Sequence, residues 1–255
     1  MSTVRDWLFP PRVTTLCTVT SPKLTQPLRL AVAPDMHNDE GICDILPVLE
    51  GCDALLIPGD ILNRHREGYD QALKFLEEAV KLLPVFLSIG NHERLSSEWN
   101  VFRPLAEKTG ACFLDNRWIA FRGIALGGLS SAEEENPDVP FLVDLAEQPC
   151  FSLLLCHHPE YYARMVRAHA PDLTLSGHAH GGQVCLWGRS VFAPGQGLFP
   201  KLTRGFYEDG HLLVSRGFSN SCRLPRIGNP TELIILCLEP GQNESRWTAP
   251  VRKTI

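Results

Sequence analysis

Short hydrophobic runs recur along the chain, and several of them end directly in polar residues. The clearest runs lie at 28–33, 54–57, 85–89, 151–156 and 173–175. Apolar stretches of this length, bounded by Gly, Pro, Asn or Asp, are typical of buried strands. Between the second and third runs, residues 70–83 carry apolar side chains at the spacing of one helix face. This alternation predicts a mainly parallel sheet covered by helices in the first half of the chain.

The remaining segments predict a single globular domain. Further helices are predicted at 42–49, 98–108, 141–147 and 161–169, and further strands near 112 and at 118–121, 123–126, 184–187, 211–215 and 232–238. The sequence has no fixed-period repeat, which argues against a solenoid. Residues 1–26, rich in Thr and Pro, are predicted to form an N-terminal extension or an edge strand at 13–19, and the domain proper is placed at 27–255. The acidic run at 133–135 predicts a solvated loop.

Composition narrows the class of protein. Of 255 residues, 44% are hydrophobic, and 24 Lys and Arg against 29 Asp and Glu leave a net charge of −5. This balance argues against a protein that captures nucleic acid or anionic lipid through a general basic surface. The sequence has no run of 18 apolar residues that would predict a membrane span, and its charged, proline-containing N-terminus does not resemble a secretory signal. Nine cysteines without a Cys-x-x-Cys pair favour reduced thiols and a cytoplasmic location.

Metal-binding residue types follow five of the predicted strands. They are Asp35 with His37, Asp60, Asn91 with His92, His157, and His178 with His180. Open α/β sheets place ligands at the carboxyl ends of their strands, and residues i and i+2 of an extended segment point to the same side. Apart from His92, the two carboxylates, four imidazoles and one amide oxygen are too many for one tetrahedral zinc ion. They suit two metal ions that share a carboxylate, an arrangement typical of enzymes that displace groups at phosphorus.

In this order, the motifs Asp-x-His, Gly-Asp, Gly-Asn-His-Glu, His and Gly-His-x-His resemble those of the calcineurin-like metallophosphoesterases. The segment Gly-His-Ala-His-Gly-Gly-Gln, together with Ser215-Arg216-Gly217, is similar to a bacterial branch that includes UDP-2,3-diacylglucosamine hydrolases. The resemblance implies an α/β fold, a four-layer αββα sandwich with two facing mixed β-sheets. Pro34 and Ala179 replace the family's usual Ser and Thr, and neither change removes a donor.

The resemblance also implies a role for each motif residue. The first metal ion would be held by Asp35, His37 and His180, the second by Asn91, His157 and His178, and Asp60 would bridge the two. His92 would not be a ligand but would stabilise the phosphate and protonate the leaving oxygen, as an imidazole near two cations can. His158 is an alternative to His157, which we prefer because the family's ligand is the first residue of His-x-Pro.

The function implied is hydrolysis of a phosphodiester or pyrophosphate bond by a metal-bridging hydroxide, in a small-molecule or lipid-linked nucleotide substrate. The cofactors would be two divalent transition-metal ions, manganese first, with iron, zinc or cobalt as alternatives. A nuclease of the same superfamily and a non-catalytic interaction module on this fold are the rival interpretations. No nucleic-acid partner is expected, no protein partner is inferred, and peripheral contact with a membrane is left open. No substrate-binding residue is assigned.

Overall fold

The computed structural model describes residues 8, 10–131, 139–186, 189–193, 196–220 and 225–247. The acidic run at 133–135 and Cys222 lie outside these ranges. The other eight cysteines are free thiols.

Sixteen strands are present in the described part of the chain. They are β1 (Val13–Ser21), β2 (Leu28–Val32), β3 (Ala54–Pro58), β4 (Val85–Ser88), β5 (Cys112–Phe113), β6 (Arg117–Phe121), β7 (Ile124–Leu129), β8 (Phe151–Cys156), β9 (Leu173–Ser176), β10 (Val184–Leu186), β11 (Arg189–Ala193), β12 (Gly197–Leu198), β13 (Gly205–Tyr207), β14 (Leu212–Val214), β15 (Glu232–Pro240) and β16 (Glu244–Trp247). The α-helices are α1 (Asp70–Leu82), α2 (Asn91–Leu95), α3 (Trp99–Lys108) and α4 (Val139–Ala146). None of the described helices has the length and apolar character needed to cross a bilayer.

The strands form two large mixed sheets and one small sheet. The seven-stranded sheet has the order β16-β1-β15-β2-β3-β4-β5, and the six-stranded sheet has the order β13-β14-β9-β8-β7-β6. Strands β2 to β5 are parallel, as are β7, β8, β9 and β14, while antiparallel strands such as β15 make each sheet mixed. Strands β10, β11 and β12 form a small antiparallel sheet.

Three apolar cores separate four layers. The central core packs Leu30 and Leu56 of the larger sheet with Leu126 and Leu153 of the smaller one, so the two sheets face each other. Because β3 and β8 are buried on both faces, they are apolar at nearly every position rather than at alternate ones. A second core lies between the larger sheet and helices α1 and α3, and a third between the smaller sheet and α4. The predicted fold, with two facing mixed sheets inside helical layers, is confirmed.

Local structure differs from the predictions in three places. The segment predicted as a helix at 42–49 is the 3₁₀ helix Ile42–Leu49, which contains Pro47. The segment predicted as a helix at 161–169 is a π-helical turn, Tyr162–Val166, followed by the 3₁₀ turn Arg167–His169. The predicted N-terminal strand is not at an edge, because β1 pairs with β15 on one side and β16 on the other. The domain boundary after residue 26 stays a prediction.

Candidate metal centre

The residues singled out after five strands meet between the two sheets. The loops after β2 and β3 run side by side, since Asp35 N donates to Gly59 O at 3.2 Å and His37 N donates to Asp60 O at 3.0 Å. The loop after β9 joins them where His178 N donates to both carboxylate oxygens of Asp35, at 3.1 and 3.2 Å. Backbone hydrogen bonds therefore bring the carboxyl ends of strands from both sheets to one place, as the strand-end argument predicts.

Most of these side chains project from unusual backbone conformations. Positive φ angles between 49° and 65° occur at Asp35, His37, Asp60, His178 and His180. This left-handed region is rare for residues other than glycine, although Asp, Asn and His enter it more readily than most. Each such residue costs on the order of 1–3 kcal/mol and persists only where the surrounding structure holds it. Such conformations cluster at functional sites, and here they turn each donor toward its neighbours.

One half of the cluster surrounds His157. Its Nε2 lies 3.0 Å from Oδ2 of Asp60 and 3.1 Å from Oδ1 of Asn91. The same Asn91 oxygen lies 3.1 Å from Nδ1 of His178. These four side chains present carboxylate, amide and imidazole donors to a common space.

The other half surrounds His180. Its Nε2 lies 3.2 Å from Nε2 of His37 and 3.5 Å from Oδ1 of Asp35. Among the described residues, donor atoms of three side chains lie within 4.8 Å of one another in four combinations: His157-His158-His178, Asp35-His37-His180, His37-Asp60-His92 and Asp35-Asp60-His157. Each of the two carboxylates, Asp35 and Asp60, takes part in two of these combinations, and Asp60 joins His37 of this half to His157 of the other. A buried carboxylate shared between donor groups suits a bridge between two divalent ions.

In His37 and His157, a hydrogen bond from Nδ1 to a backbone carbonyl leaves Nε2 facing the cluster. Nδ1 of His37 lies 3.1 Å from Leu62 O, and Nδ1 of His157 lies 2.9 Å from Pro58 O. A carbonyl oxygen only accepts, so Nδ1 of each ring carries the proton, and in the neutral ring Nε2 offers a lone pair to a metal ion.

His92 has the opposite arrangement. Arg64 N donates to Nδ1 of His92 at 3.1 Å, so the proton of the neutral ring sits on Nε2, 3.9 Å from Oδ2 of Asp60. The ring therefore presents a hydrogen-bond donor to the cluster rather than a lone pair. This geometry suits a proton donor or charge stabiliser better than a ligand.

His180 has a neighbour that sequence reasoning did not find. The buried guanidinium of Arg226 donates from Nη2 to Nδ1 of His180 at 2.8 Å, and from Nη1 to Arg216 O at 2.5 Å. In this arrangement Nε2 of His180 carries the ring proton and points at His37. Metal binding through Nε2 of a neutral His180 requires the contact with Arg226 to open.

His158 also lies beside the cluster. Its ring centroid is 4.0 Å from that of His178 and 4.9 Å from that of Tyr161. Of the two adjacent histidines, His157 is the one whose Nε2 contacts both Asp60 and Asn91. These contacts support the preference for His157 as the donor.

Burial and charge determine the protonation states of the cluster. Burial raises the pKa of Asp35 to about 6. Burial also acts to raise the pKa of Asp60, but the charge and hydrogen bond of His157 outweigh it and hold that pKa well below its usual value. Burial acts to lower the pKa of His157, yet the negative charge of Asp60 raises it to about 10. Burial lowers the pKa of His37 to about 3, so this ring is neutral near pH 7, which is the form that binds metal.

Glu93 holds the loop of Asp60 in place but is not one of the candidate donors. Its buried carboxylate accepts hydrogen bonds from Asp60 N at 2.7 Å, Gly90 N at 2.8 Å and Leu62 N at 2.8 Å. Gly90 itself cannot carry a side chain, because a Cβ there would lie 2.2 Å from Oδ1 of Asp60. The motif Gly-Asn-His-Glu was singled out for Asn91 and His92. In the structure, the other two residues of this motif, Gly90 and Glu93, position Asp60.

Gly217 packs closely against Asp35, as Gly90 packs against Asp60, so that neither position has room for a Cβ atom. A Cβ at Gly217, where φ is +75°, would lie 2.7 Å from Oδ2 of Asp35, whereas a Cβ at Gly51, where φ is +77°, has no atom within 4 Å. Gly51→Ala is expected to lose about 1–2 kcal/mol of stability, measured by urea unfolding, because alanine disfavours this backbone region, and Gly217→Ala is expected to lose more because its Cβ also clashes with Asp35. Only Gly217→Ala is expected to weaken manganese affinity, by about 10-fold to 100-fold in calorimetric titration. Equal manganese affinities for the two variants would contradict the steric argument.

Comparison with known proteins gives distant relatives. An uncharacterized metallophosphoesterase of Campylobacter jejuni, Cj0846, is 27% identical over 238 residues, covering 86% of this chain and 61% of the relative. The uncharacterized metallophosphoesterase YkuE of Bacillus subtilis is 27% identical over 187 residues, covering 68% of this chain and 63% of the relative. The chain thus spans less than two thirds of the length of either relative.

Solved structures and a family profile complete the comparison. The crystal structure of TT1561 of Thermus thermophilus shares 15% sequence identity at a TM-score of 0.41, covering 59% of this chain and 81% of that one. This similarity is too low to support an argument. The sequence profile of the calcineurin-like phosphoesterases matches residues 28–182, more than half of the chain. On this match, the chain belongs to the calcineurin-like phosphoesterase family.

Proposed function

We propose that this chain hydrolyses phosphoesters with the help of two divalent metal ions. The observation that carries the proposal is the position of Asp60, a buried carboxylate whose donor atoms lie within 4.8 Å of those of His37 in one half of the cluster and of those of His157 in the other. When bound, two such ions supply positive charge that stabilises the attacking and leaving oxygens of an in-line displacement. Oxygen and imidazole donors suit manganese first, with iron, zinc and cobalt as alternatives.

Each motif residue has a proposed task. Asp35, His37 and His180 would hold one ion, Asn91, His157 and His178 the other, and Asp60 both. The Nε2 proton of His92 would be donated to the leaving oxygen, and the backbone of Arg64 keeps that ring in the required tautomer. Glu93 would keep the loop of Asp60 in place through its three backbone hydrogen bonds.

The substrate that we propose is a phosphodiester or pyrophosphate of small-molecule or lipid-linked nucleotide type. The proposal follows the motif Gly-His-Ala-His-Gly-Gly-Gln, which is similar to that of the bacterial branch with UDP-2,3-diacylglucosamine hydrolases. A cytoplasmic location is part of the same proposal, and the eight free thiols of the described cysteines support it.

Metal content and activity together test the proposed function. Elemental analysis of the purified chain is expected to find about two transition-metal ions per molecule, as in other two-metal phosphoesterase sites. Chelation should abolish hydrolysis of bis-p-nitrophenyl phosphate, and added manganese should restore it. Comparison with p-nitrophenyl phosphate then separates diesterase from monoesterase preference. Full activity of the metal-free chain, or no activity with any metal on either ester, would overturn the proposal.

A further inference from the structure

Two large apolar side chains project together from the end of the small sheet. Leu198 is 70% exposed and Phe199 is 73% exposed, the highest values among the large hydrophobic residues that the structure describes. Isolated exposed apolar residues, such as Leu82 on α1 and Val101 on α3, are normal and need no explanation. An adjacent pair at this exposure is different, since two large apolar side chains are both open to solvent at neighbouring positions; we name this pair the Leu198–Phe199 tip.

The backbone holds this tip in place. Phe199 N donates to Val191 O at 2.9 Å, and Leu198 pairs with Phe192 across β11 and β12. Phe199 has a φ of 52°, which is unfavourable for a bulky side chain. The strained residue is therefore kept exposed by its hydrogen bond to the neighbouring strand.

Beside the tip lies an open cavity of about 830 Å³. Its apolar lining includes Leu186, Val191 and Pro200, and its polar lining includes the guanidinium groups of Arg189 and Arg204. The tip and the cavity thus form one surface that combines apolar side chains with positive charge.

The sequence around the tip has a charge opposite to that of the protein. From 173 to 207 it contains Arg189, Lys201 and Arg204 but no Asp or Glu. With a net charge of −5 for the whole chain, the remainder carries −5 − 3 = −8. The segment that exposes the apolar tip is therefore locally positive because it lacks acidic residues, as expected for a surface that meets an anionic partner.

We propose that the Leu198–Phe199 tip docks on an anionic lipid bilayer, with the two apolar side chains inserted between headgroups and the cations of the same segment against lipid phosphates. Basic side chains beside apolar ones are the general requirement for reversible binding at a membrane interface. A protein partner would need a larger apolar face, since stable protein interfaces bury on the order of 800 Å² per partner. A bilayer has no such requirement. Arg189 and Lys201 are the exposed cations of this segment, whereas Arg204 is half-buried and donates to Cys185.

The small sheet that carries the tip is bonded to the chain just after the candidate metal ligands His178 and His180. Ser190 Oγ donates to Gly181 O at 2.8 Å, and Gln183 N donates to Phe192 O at 2.8 Å. The small sheet is thus attached to the segment that follows His180. Docking does not depend on the proposed hydrolase activity, and the two are tested separately.

Vesicle sedimentation tests this proposal. The wild-type chain is expected to sediment with vesicles of phosphatidylcholine and phosphatidylglycerol but much less with phosphatidylcholine alone, and its binding should weaken as salt rises. The double substitution Leu198→Ser and Phe199→Ser is expected to reduce the partition coefficient by at least about tenfold. Arg189→Gln and Lys201→Gln are each expected to reduce it about fivefold.

Matched controls lie on α1, away from the tip. Leu82→Ser removes another exposed apolar side chain, Lys81→Gln removes another exposed charge, and neither is expected to change sedimentation. Unchanged metal content and unchanged hydrolysis of bis-p-nitrophenyl phosphate would show that the tip variant is folded. The proposal is overturned if the wild type fails to bind the anionic vesicles, or if the tip variant binds them as well as the wild type. It is also overturned if the tip substitutions change only the oligomeric state in gel filtration.

Discussion

Asp60→Asn is expected to remove metal binding and to lower kcat/KM by at least about 10²-fold, the usual cost of losing one group that stabilises charge in the transition state. The carboxylate of Asp60 lies 3.0 Å from Nε2 of His157 and 3.9 Å from Nε2 of His92. An asparagine has a similar shape but no charge, and its amide nitrogen cannot bind a cation. Because Asp60 is proposed to hold both ions, its loss should affect both of them, not one.

The measurement is metal content by elemental analysis together with steady-state kinetics on bis-p-nitrophenyl phosphate. Asp115→Asn is the matched control, because Asp115 is a half-buried carboxylate bound to Arg103 at 2.7 Å and lies outside the donor groups of the cluster. The control is expected to keep its metal ions and its activity. If Asp60→Asn retained two ions per chain, the bridging role would be wrong.

His92→Ala is expected to lose about 10²-fold to 10⁴-fold in kcat, the usual contribution of a general acid, while keeping both metal ions. The reason is the tautomer that the backbone of Arg64 imposes, with the proton on Nε2 facing the cluster. His37→Ala should behave differently and lose metal, because the contact with Leu62 leaves the Nε2 lone pair of His37 available for ligation.

His65→Ala is the control for this pair, since the exposed ring of His65 lies 5.4 Å from that of His92 and belongs to none of the donor groups found among the described residues. It is expected to keep both metal ions and full activity. Donor atoms of His37, Asp60 and His92 lie within 4.8 Å of one another, so ligation by His92 is geometrically open. A loss of metal from His92→Ala equal to that from His37→Ala would show that His92 is a ligand and that the tautomer argument fails.

Elements with strong local patterns were predicted closely. The strand predicted at 151–156 is β8, Phe151–Cys156, and the helix predicted at 70–83 is α1, Asp70–Leu82. Both can be predicted from a short stretch of sequence. The strand is buried on both faces and is therefore a continuous apolar run, whereas the helix has apolar residues at the spacing of one helix face. The five polar segments were recognised for a related reason, since polar residues directly after a buried strand stand out in the sequence.

Elements that depend on distant partners were missed. Strands β11, β12 and β13 have mostly half-buried or exposed residues and no strong alternation, so their pairing is set by neighbouring strands. The edge position predicted for the N-terminal strand was wrong because β16, near the end of the chain, pairs with β1. The contact of Arg226 with His180 joins residues 46 positions apart, and no motif marks it.

The residue types and their order along the chain were enough to predict the candidate donors, because carboxylates, imidazoles and an amide that follow buried strands can reach the same edge of a sheet. Which nitrogen of each histidine faces the cluster was decided only by folding. The carbonyls of Leu62 and Pro58, which lie 25 and 99 positions from His37 and His157, accept the Nδ1–H of each ring, so the lone pair of the neutral ring is on Nε2. The position of Asp60 between the two halves of the cluster was also decided only by folding. It depends on loops from both sheets meeting at one point, which no local pattern encodes.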